Sequence, residues 1–443
     1  MIVFPDTTLF RGAAKIAATL REHGHAALFV GGSVRDSLQG KPLKDIDIAT
    51  SALPEQVQRI FPHTHDVGVA FGIIVVVVDG FNYEVATFRE ERDYLDGRHP
   101  ETVLYTTSPR LDASRRDFTV NAMFFDPASG KLLDFFDGRR DLAEGILRTV
   151  GEPETRFRED YLRMLRAVRF AARFQFELEP GLASAIVKLK GHVAQLSPER
   201  IREELNGMLT GPDPADAVIM LRDLGLLPII LPEVAAMDGV EQHELYHPEG
   251  DVFTHTMLML RHISWPSLEL SWSILLHDIG KVVTKTIGAD GIPHFYGHEE
   301  VGADMAEAIL QRLRFSRQQV DNIVHAVRNH MRFAHVDQMR NATRKRLMSE
   351  TMFPLELELH RIDCVSSNML LGNYVMLLDK MPELAAERSL PPPLLNGKDL
   401  ITLGVKPGPD MGALLHRVRD MQLDGELATR DDAINWINTE MKK

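Results

Sequence analysis

The chain has 443 residues, a length at which about three domains are expected. Its 44% hydrophobic and 26% charged residues are typical of a folded soluble protein, and no apolar run is long enough to span a bilayer. The N-terminus does not resemble a signal peptide, and Cys364 is the only cysteine, which excludes an internal disulfide, so we expect a reducing, cytoplasmic setting.

The net charge of −13 would by itself argue against a polyanionic partner, but the charge is unevenly distributed. Arginines are concentrated between Arg139 and Arg173, whereas acidic residues gather in "LPEVAAMDGVEQHE" and near the C-terminus. An Arg-rich helix is usually a solvated face with ion pairs. Here the arginines are interleaved with apolar residues, which weakens that explanation and leaves a polyanionic partner open.

Residues 1–140 predict a small mixed α/β domain. A helical pattern, "TLFRGAAKIAATLREHG", is followed by a strand, "AALFVGG", a second strand, "KDIDIAT", and a helix, "SALPEQVQRIF". The strands "GIIVVVVDG" and "FNYEVATFRE" predict a hairpin around Asp79 and Gly80, and "AMFFDPASGKLLDFFDG" predicts another with its turn at 127–130. The domain therefore contains an antiparallel element.

The rest of the chain is predicted to be helical. Glycine- and proline-rich stretches at 210–216 and 389–399 mark candidate joints. We expect four parts: a head at 1–140, a helical neck at 141–210, a histidine-rich helical body at 211–388, and a small tail at 389–443.

Two aspartates on the second strand are the first candidates for chemistry. Asp45 and Asp47 are two residues apart, so on a strand both carboxylates leave the same face, where they can hold hard cations such as Mg²⁺. Such a pair in isolation is more often a polar strand end. Gly31 and Gly32 lie upstream, where a bare backbone can approach a triphosphate, and Arg35 adds a positive charge one turn later. Together they indicate a site where two metals bind a nucleoside triphosphate and activate an attacking hydroxyl.

The run "GGSVRD" followed by "KDIDIAT" resembles the head motif of the polymerase-β-type nucleotidyltransferases, specifically that of the bacterial class II tRNA nucleotidyltransferase and poly(A) polymerase family. The resemblance implies an α+β fold: a nucleotidyltransferase head with a mixed or antiparallel sheet, an all-α neck, an HD-type body and a small helical tail. It also implies a third catalytic carboxylate from a later strand. Glu84 is the candidate, and a solvent-facing strand residue is the alternative.

Two further motifs of the family follow in order. "SRRDFTVNAM" matches the motif that contacts the sugar of the incoming nucleotide, where Asp117 can accept from a ribose hydroxyl and Arg116 can donate to phosphate or sugar oxygens. "REERDYLDGRHP" resembles a flexible loop that members adding the terminal A keep and members adding only CC typically lack. His99 stands where Arg or Lys is often seen.

The run "REDYLRMLRAVRF" predicts how a protein can select bases without a nucleic-acid template. We place Asp160 and the basic residues after it at every third position, along one helical row. A carboxylate only accepts hydrogen bonds and an arginine only donates them, so an Asp beside an Arg fits C and A and leaves buried groups unpaired with U and G. The run matches the family's amino-acid template, and we assign Asp160 and Arg163 to base reading, with Arg166 and Arg169 on phosphates or stacked on the base. An ordinary salt-bridged helix is the alternative.

A second set of residues in the body carries metal-ligand chemistry. The order of motifs, including "SILLHDIGK", resembles the HD-domain metal-dependent phosphohydrolases, whose His-Asp doublet bridges metals. His325 and His335 are alternatives to His330. The candidate ligands are His255, His277, Asp278, His298, His330 and Asp363.

The resemblance implies addition of C, C and A to tRNA 3′ ends from CTP and ATP, with Mg²⁺ as cofactor and tRNA as partner, without a membrane. A divalent transition metal and a phosphohydrolase activity in the HD domain are additional expectations, and the tail either contacts RNA or is a helical cap. One alternative is an A-adding enzyme or poly(A) polymerase. Another is an HD phosphohydrolase whose head only recognises RNA.

Overall fold

The computed structural model describes residues 4–68, 72–94, 100–243, 247–289, 291–386 and 391–441. The chain forms two compact units, Met1–Pro232 and Glu233–Lys443. In the part of the chain that the structure describes, no helix is both long enough and apolar enough to cross a membrane. Residues 95–99 of the predicted flexible loop, with His99, lie outside the described residues.

The first unit combines a sheet with short helices. Its strands are β1 (Ala27–Val30), β2 (Asp47–Thr50), β3 (Thr64–Gly68), β4 (Ile73–Val78), β5 (Phe81–Thr87), β6 (Arg89–Tyr94), β7 (Pro100–Tyr105), β8 (Met123–Asp126), β9 (Lys131–Asp134), β10 (Ile146–Leu147) and β11 (Glu177–Leu178). Its helices are α1 (Thr8–Glu22), α2 (Gly32–Leu38), α3 (Pro54–Ile60), α4 (Pro109–Ser114), α5 (Gly138–Glu144), α6 (Pro153–Glu159), α7 (Leu162–Phe174), α8 (Pro180–Leu189), α9 (Pro198–Leu209), α10 (Pro214–Asp223) and α11 (Leu227–Ile230), and α12 (Pro232–Ala235) follows at the boundary.

The main sheet has seven strands in the order β3-β4-β5-β2-β1-β8-β9. β2 and β5 pair in parallel, and the other neighbours are antiparallel, so the predicted mixed sheet is confirmed. Both predicted hairpins are present. Asp79 and Gly80 have φ of 51° and 80°, and two positive φ values at these positions match the twist of the flanking strands.

Alternation along the strands separates two apolar cores. Ile48 and Val85 belong to the core that also contains the buried side of α1. A Cβ on Gly12 of α1 would collide with the hydroxyl of Tyr83, so the missing side chain lets the helix lie directly on the sheet. Ala49 belongs to the core on the opposite face, which means that Asp47, two residues earlier, also lies on that face.

The second unit is almost entirely helical. Its helices are α13 (Val252–Arg261), α14 (Leu268–Leu276), α15 (Lys281–Thr284), α16 (His298–Arg312), α17 (Arg317–Asn329), α18 (Asn341–Met348), α19 (Phe353–Ser366), α20 (Gly372–Ala386), α21 (Gly397–Thr402), α22 (Pro409–Leu423) and α23 (Arg430–Glu440), with two short strands, β12 (Thr286–Ile287) and β13 (Pro293–His294). α14 packs against α13, α17 and α19, so every residue from Leu270 to Leu276 is buried. The His277-Asp278 doublet therefore begins where a fully buried helix ends.

Candidate active site and metal centre

Three carboxylate side chains lie around one cavity on the sheet of the first unit. Asp47 is the first residue of β2, and Glu84 lies beside it on β5, because the parallel register pairs Ile48 with Val85. Asp45 lies two residues before Asp47, and all three carboxylates line a cavity of about 360 Å³. The structure therefore brings together the three residues that the sequence predicts as catalytic.

The prediction that both aspartates lie on the strand is wrong for Asp45. The ladder between β1 and β2 ends where Val30 pairs with Asp47, because the chain turns away at Gly31. Asp45 is therefore in an exposed segment that leads into the strand.

Burial is the main cause that raises the pKa of Asp47 to about 6, and the negative charges of Asp45 and Glu84 raise it further, whereas Arg116 opposes them. Carboxylates this close together repel one another when ionised. A cation among them removes that repulsion, and an all-oxygen donor set is the one that hard divalent cations prefer. The donor set fits such a cation.

The glycine turn lies next to these carboxylates. Gly31 has φ of 72° and ψ of −133°, a conformation that a residue with a side chain rarely adopts. A Cβ there would lie 3.5 Å from Arg116 Nη1 and 3.9 Å from Asp47 Oδ2. Gly32 begins α2, so the turn presents bare backbone between the carboxylates and a helix N-terminus.

Arg35 is buried rather than free in the cavity. Its Nη1 donates to Asn121 Oδ1 at 2.6 Å, its Nε donates to Asp36 Oδ1 at 2.9 Å, and its guanidinium lies 4.2 Å from the ring centre of Phe174. Burial lowers the pKa of Arg35, and the charge of Asp36 opposes that effect. The side chain is therefore fixed in one orientation at the back of the glycine turn.

The residues of the predicted sugar motif have defined partners. Arg116 Nη2 donates to Asp112 Oδ2 at 3.2 Å, while its Nε is buried without a hydrogen-bond partner. Asp117 Oδ2 accepts from Nε and Nη2 of Arg166 at 2.9 and 2.6 Å, and its Oδ1 accepts from Asn121 at 3.2 Å. Burial alone would raise the pKa of Asp117, but the charge and hydrogen bonds of Arg166 outweigh it and lower the pKa to about 2.

The base-reading run does not form one helix. α6 ends at Glu159, Asp160 has an extended backbone with φ of −153° and ψ of 107°, and α7 begins at Leu162. The predicted single helical row is therefore wrong at Asp160, because its carboxylate accepts the backbone N–H of Leu162 and so competes with helix continuation.

Asp160 and Arg163 are each held by other groups. The second oxygen of Asp160 accepts from Arg200 at 2.7 Å. Arg163 is buried, pairs with Glu159, and donates to the carbonyl of Arg156 at 2.9 Å. Both base-reading candidates thus have fixed orientations.

Arg166 and Arg169 share one buried partner. Arg169 Nε donates to Glu204 Oε2 at 2.6 Å, and Arg166 Nη1 lies 3.8 Å from Glu204 Oε1. Together with Asp117 they form a charge network between the sugar motif and α9. Both arginines are therefore in ion pairs, as the alternative of a salt-bridged helix expects. They are also the residues that the family resemblance assigns to nucleotide contacts.

Three histidines of the predicted metal site share one pattern of hydrogen bonding. His277, His298 and His330 each direct Nδ1 to a backbone carbonyl at 2.7–2.8 Å. A carbonyl only accepts, so Nδ1 carries the proton and Nε2 is the atom that can bind a metal, which is the arrangement found in metal-binding histidines. His255 Nδ1 instead lies 2.6 Å from Glu249 Oε1.

These Nε2 atoms converge on Asp278. Its carboxylate oxygens lie 3.1 Å from His277 Nε2, 3.3 Å from His298 Nε2 and 3.7 Å from His330 Nε2, while His255 Nε2 lies 3.2 Å from Asp363 Oδ1. His298 Nε2 and His330 Nε2 are 3.2 Å apart. Two nitrogens bound tetrahedrally to one zinc ion would be about 3.3 Å apart. The six predicted ligands are therefore in one cluster.

The electrostatics of the cluster favour a cation. Burial would lower the pKa of His255, but the hydrogen bonds that it donates to Asp363 and Glu249 raise it to about 9. Burial, with the charge of His277, lowers the pKa of His330 to about 3 and so keeps its imidazole neutral. The Nε2 atom of His277 is buried without a hydrogen-bond partner. The donor set fits a divalent transition metal.

The two alternative histidines do not join this cluster. His325 Nε2 lies 3.1 Å from Glu356 Oε1, near Glu350. His335 lines the cavity of about 840 Å³ that Asp278 and His330 also line, but it is not among the side chains grouped around Asp278. His330 is therefore the one that faces Asp278.

The sequence analysis did not predict several partners of the site residues. Asn121 lies inside the quoted sugar motif, and Lys281 follows the His-Asp doublet by one helical turn, where its Nζ lies 2.7 Å from Asp278. These two carried a local signal. Arg200 and Glu204 did not, because only the packing of distant segments brings them to the site. Glu249 lies only six residues before His255, but no motif marked it.

Family models match three parts of the chain. They describe a "Poly A polymerase head domain" at residues 27–148, a "Probable RNA and SrmB- binding site of polymerase A" at 175–237, and an "HD domain" at 252–364. The first match contains the carboxylate site and the third contains the histidine cluster.

Curated relatives and solved structures agree with these matches. The CCA-adding enzyme of Geobacillus stearothermophilus is 43% identical over 274 residues, which are 61% of this chain and 63% of that protein. The CCA-adding enzyme of Geobacillus kaustophilus is 47% identical over 227 residues, which are 51% of this chain and 56% of that protein. The chain thus spans a little over half the length of the curated relatives it matches.

Among solved structures, the Bacillus stearothermophilus CCA-adding enzyme in complex with CTP has 29% identity and a TM-score of 0.77, covering 98% of both chains. The Thermotoga maritima CCA-adding enzyme complexed with tRNA has 20% identity and a TM-score of 0.61, covering 99% of this chain and 97% of that chain, and supports the fold alone.

Proposed function

We propose that this chain, which belongs to the tRNA nucleotidyltransferase and poly(A) polymerase family and carries an HD domain, adds C, C and A to tRNA 3′ ends from CTP and ATP. The observation that carries the proposal is the meeting of Asp45, Asp47 and Glu84 at one cavity beside the glycine turn. The matched CCA-adding enzymes favour this activity over A-only and poly(A) addition.

We assign Asp45, Asp47 and Glu84 to Mg²⁺. Bound there, Mg²⁺ would neutralise phosphate charge and lower the pKa of the attacking 3′ hydroxyl. Gly31 and Gly32 offer backbone to the triphosphate, whose charge Arg35 and Arg116 stabilise. Asp117 orients the ribose as a hydrogen-bond acceptor, and its ionised form is secured by Arg166.

Base choice is assigned to Asp160 and Arg163. The amino group of C or A donates to the carboxylate, and the ring nitrogen accepts from the guanidinium. U and G present the opposite pattern, so both protein groups would be left unpaired, at a cost of roughly 1–3 kcal/mol each. Arg166 and Arg169 remain assigned to phosphate or base contact. The four-part division at 140, 210 and 388 and a cytoplasmic setting belong to the same proposal.

The experiment that tests this function supplies CTP and ATP to purified protein with three RNAs: a tRNA that ends before the first C, a tRNA that ends after CC, and an unrelated RNA. We expect three nucleotides on the first, one A on the second and none on the third, read on a sequencing gel. One A on the second alone would indicate an A-adding enzyme, and a long A tract on the unrelated RNA would indicate a poly(A) polymerase.

A second candidate function rests on the histidine cluster. The four imidazoles and two carboxylates of this cluster form a donor set for a divalent transition metal, beside a cavity of about 840 Å³, and the Nε2 atom of His277 is buried there without a hydrogen-bond partner. Such a metal would polarise a phosphoryl oxygen and supply a nucleophilic water. Lys281 and His243 line the same cavity and are suited to holding a phosphate there. We therefore propose a phosphohydrolase activity for this unit.

A further inference from the structure

We infer that Arg200 is a specificity-determining positioning residue: it holds the carboxylate of Asp160 in the one orientation that accepts the amino group of C or A. The inference rests on the proposed nucleotidyl transfer. Its basis is the contact between Arg200 Nη2 and Asp160 Oδ2 at 2.7 Å, made by two side chains that are only 20% and 18% exposed.

The backbone around Asp160 makes an external support necessary. Asp160 lies in the break between α6 and α7, where its N–H still donates to the carbonyl of Arg156 but its extended φ and ψ leave the helix. One local bond, from the N–H of Leu162 to Oδ1 at 3.0 Å, fixes one oxygen. A carboxylate held at one oxygen can still rotate about that contact, whereas a second contact at the other oxygen fixes its plane.

The two contacts leave acceptor capacity for a base. Each carboxylate oxygen has two lone pairs, so Leu162 N–H and Arg200 use one on each oxygen and one remains on each. A base amino group can therefore donate to Asp160 without displacing either partner. Arg200 thus acts on the base only through the carboxylate that it positions.

The support comes from a separate element. Arg200 lies in the first turn of α9, forty residues after Asp160, and α9 packs against α7, which carries Arg163. The neighbouring residue, Tyr161, is also held, since its ring stacks on His192 at 4.5 Å with an interplanar angle of 6°. The segment that reads the base is therefore fixed from the helices that follow it.

Loss of Arg200 should lower selectivity more than catalysis. Without it the carboxylate can turn away when a wrong base presents a carbonyl, so rejection of U and G weakens. We expect Arg200→Ala to reduce the ratio of kcat/KM for CTP over UTP about tenfold, which is the factor that corresponds to one lost buried contact.

The experiment measures kcat/KM for CTP and UTP on a tRNA that ends before the first C. The variants are Arg200→Ala, Arg200→Lys and Arg158→Ala, the last of which removes an exposed arginine of α6. Arg200→Lys keeps one cationic donor and should restore most of the selectivity, and Arg158→Ala should leave it unchanged. An equal fall of kcat/KM for both nucleotides in Arg200→Ala would overturn the inference.

A double-mutant cycle separates positioning from a general structural role. If Arg200 acts through Asp160, then Arg200→Ala should change the CTP-to-UTP ratio in the wild-type background and not in the Asp160→Ala background. An additional tenfold change in the Asp160→Ala background would also contradict the inference. If the wild-type protein incorporates neither nucleotide, it is the proposed function that fails.

Discussion

The two candidate metal centres of this chain are built differently. In the first unit, Asp45 and Glu84 are exposed carboxylates that line a cavity with Asp47, whose pKa is raised mainly by burial and further by their negative charges. In the second unit His277, His298 and His330 are buried, and a backbone carbonyl orients each of them. The first arrangement suits a cation that arrives with its phosphate substrate, and the second suits a cation that stays with the protein.

The largest effect should follow from removing the two aspartates of the first centre. We expect Asp45→Ala combined with Asp47→Ala to lower incorporation of CMP into tRNA by at least about a thousandfold, because no other described pair of carboxylates lines that cavity with Glu84. Filter binding of radiolabelled product measures it.

The matched control is Asp79→Asn, which removes an exposed carboxylate at the β4–β5 turn, where Asn tolerates the positive φ. It should retain full activity. Survival of incorporation in the double variant would remove the basis of the proposed function.

The next effect tests whether the histidine cluster retains a metal. We expect Asp278→Asn to lose most of the bound transition metal, measured by mass spectrometry of the desalted protein, and to lose hydrolysis of bis(p-nitrophenyl) phosphate. Nucleotide addition should stay within about twofold, because the residues assigned to it all lie in the first unit.

Asp321→Asn removes an exposed carboxylate of α17 and is the control for this unit, and His330→Gln is a second variant in case Asp278→Asn unfolds. If Asp278→Asn abolished nucleotide addition while the Asp45 and Asp47 variant did not, the chain would be an HD phosphohydrolase with an RNA-binding head.

Local sequence patterns could predict part of the fold and part of the candidate sites. Strand alternation and the hairpin turns carried enough local signal to predict the mixed sheet. The two short motifs indicated residues that the structure brings together, three carboxylates at one cavity and histidines around Asp278. Local signal also misled, since the period-three spacing after Asp160 predicted a continuous helix where the aspartate itself caps and interrupts it. Arg200 and Glu204 were missed because their roles arise from how α9 packs on α7, which no short-range pattern encodes.

The smallest effect concerns the ion pair between Asp117 and Arg166 in the first unit, which belongs to neither candidate metal centre. Asp117 has a folded pKa of about 2, below the value of about 3.9 for an unfolded aspartate, because Arg166 outweighs the effect of burial. Since the folded pKa is the lower one, the pair stabilises the fold above about pH 5, and the stabilisation is lost as pH falls towards 2. We expect Asp117→Asn to cost about 2 kcal/mol of unfolding free energy at pH 7, and a cost that diminishes below pH 4.

Hydrogen exchange of peptides from the first unit measures this cost. Trp265, Trp272 and Trp436 are the only tryptophans and all lie in the second unit, so their fluorescence is an internal control that Asp117→Asn should leave unchanged. A cost that stayed constant from pH 7 to pH 3 would mean that the substitution acts through lost packing rather than lost charge. In that case the two hydrogen bonds from Arg166 would fix the position of the Asp117 side chain without a charge-dependent contribution to stability.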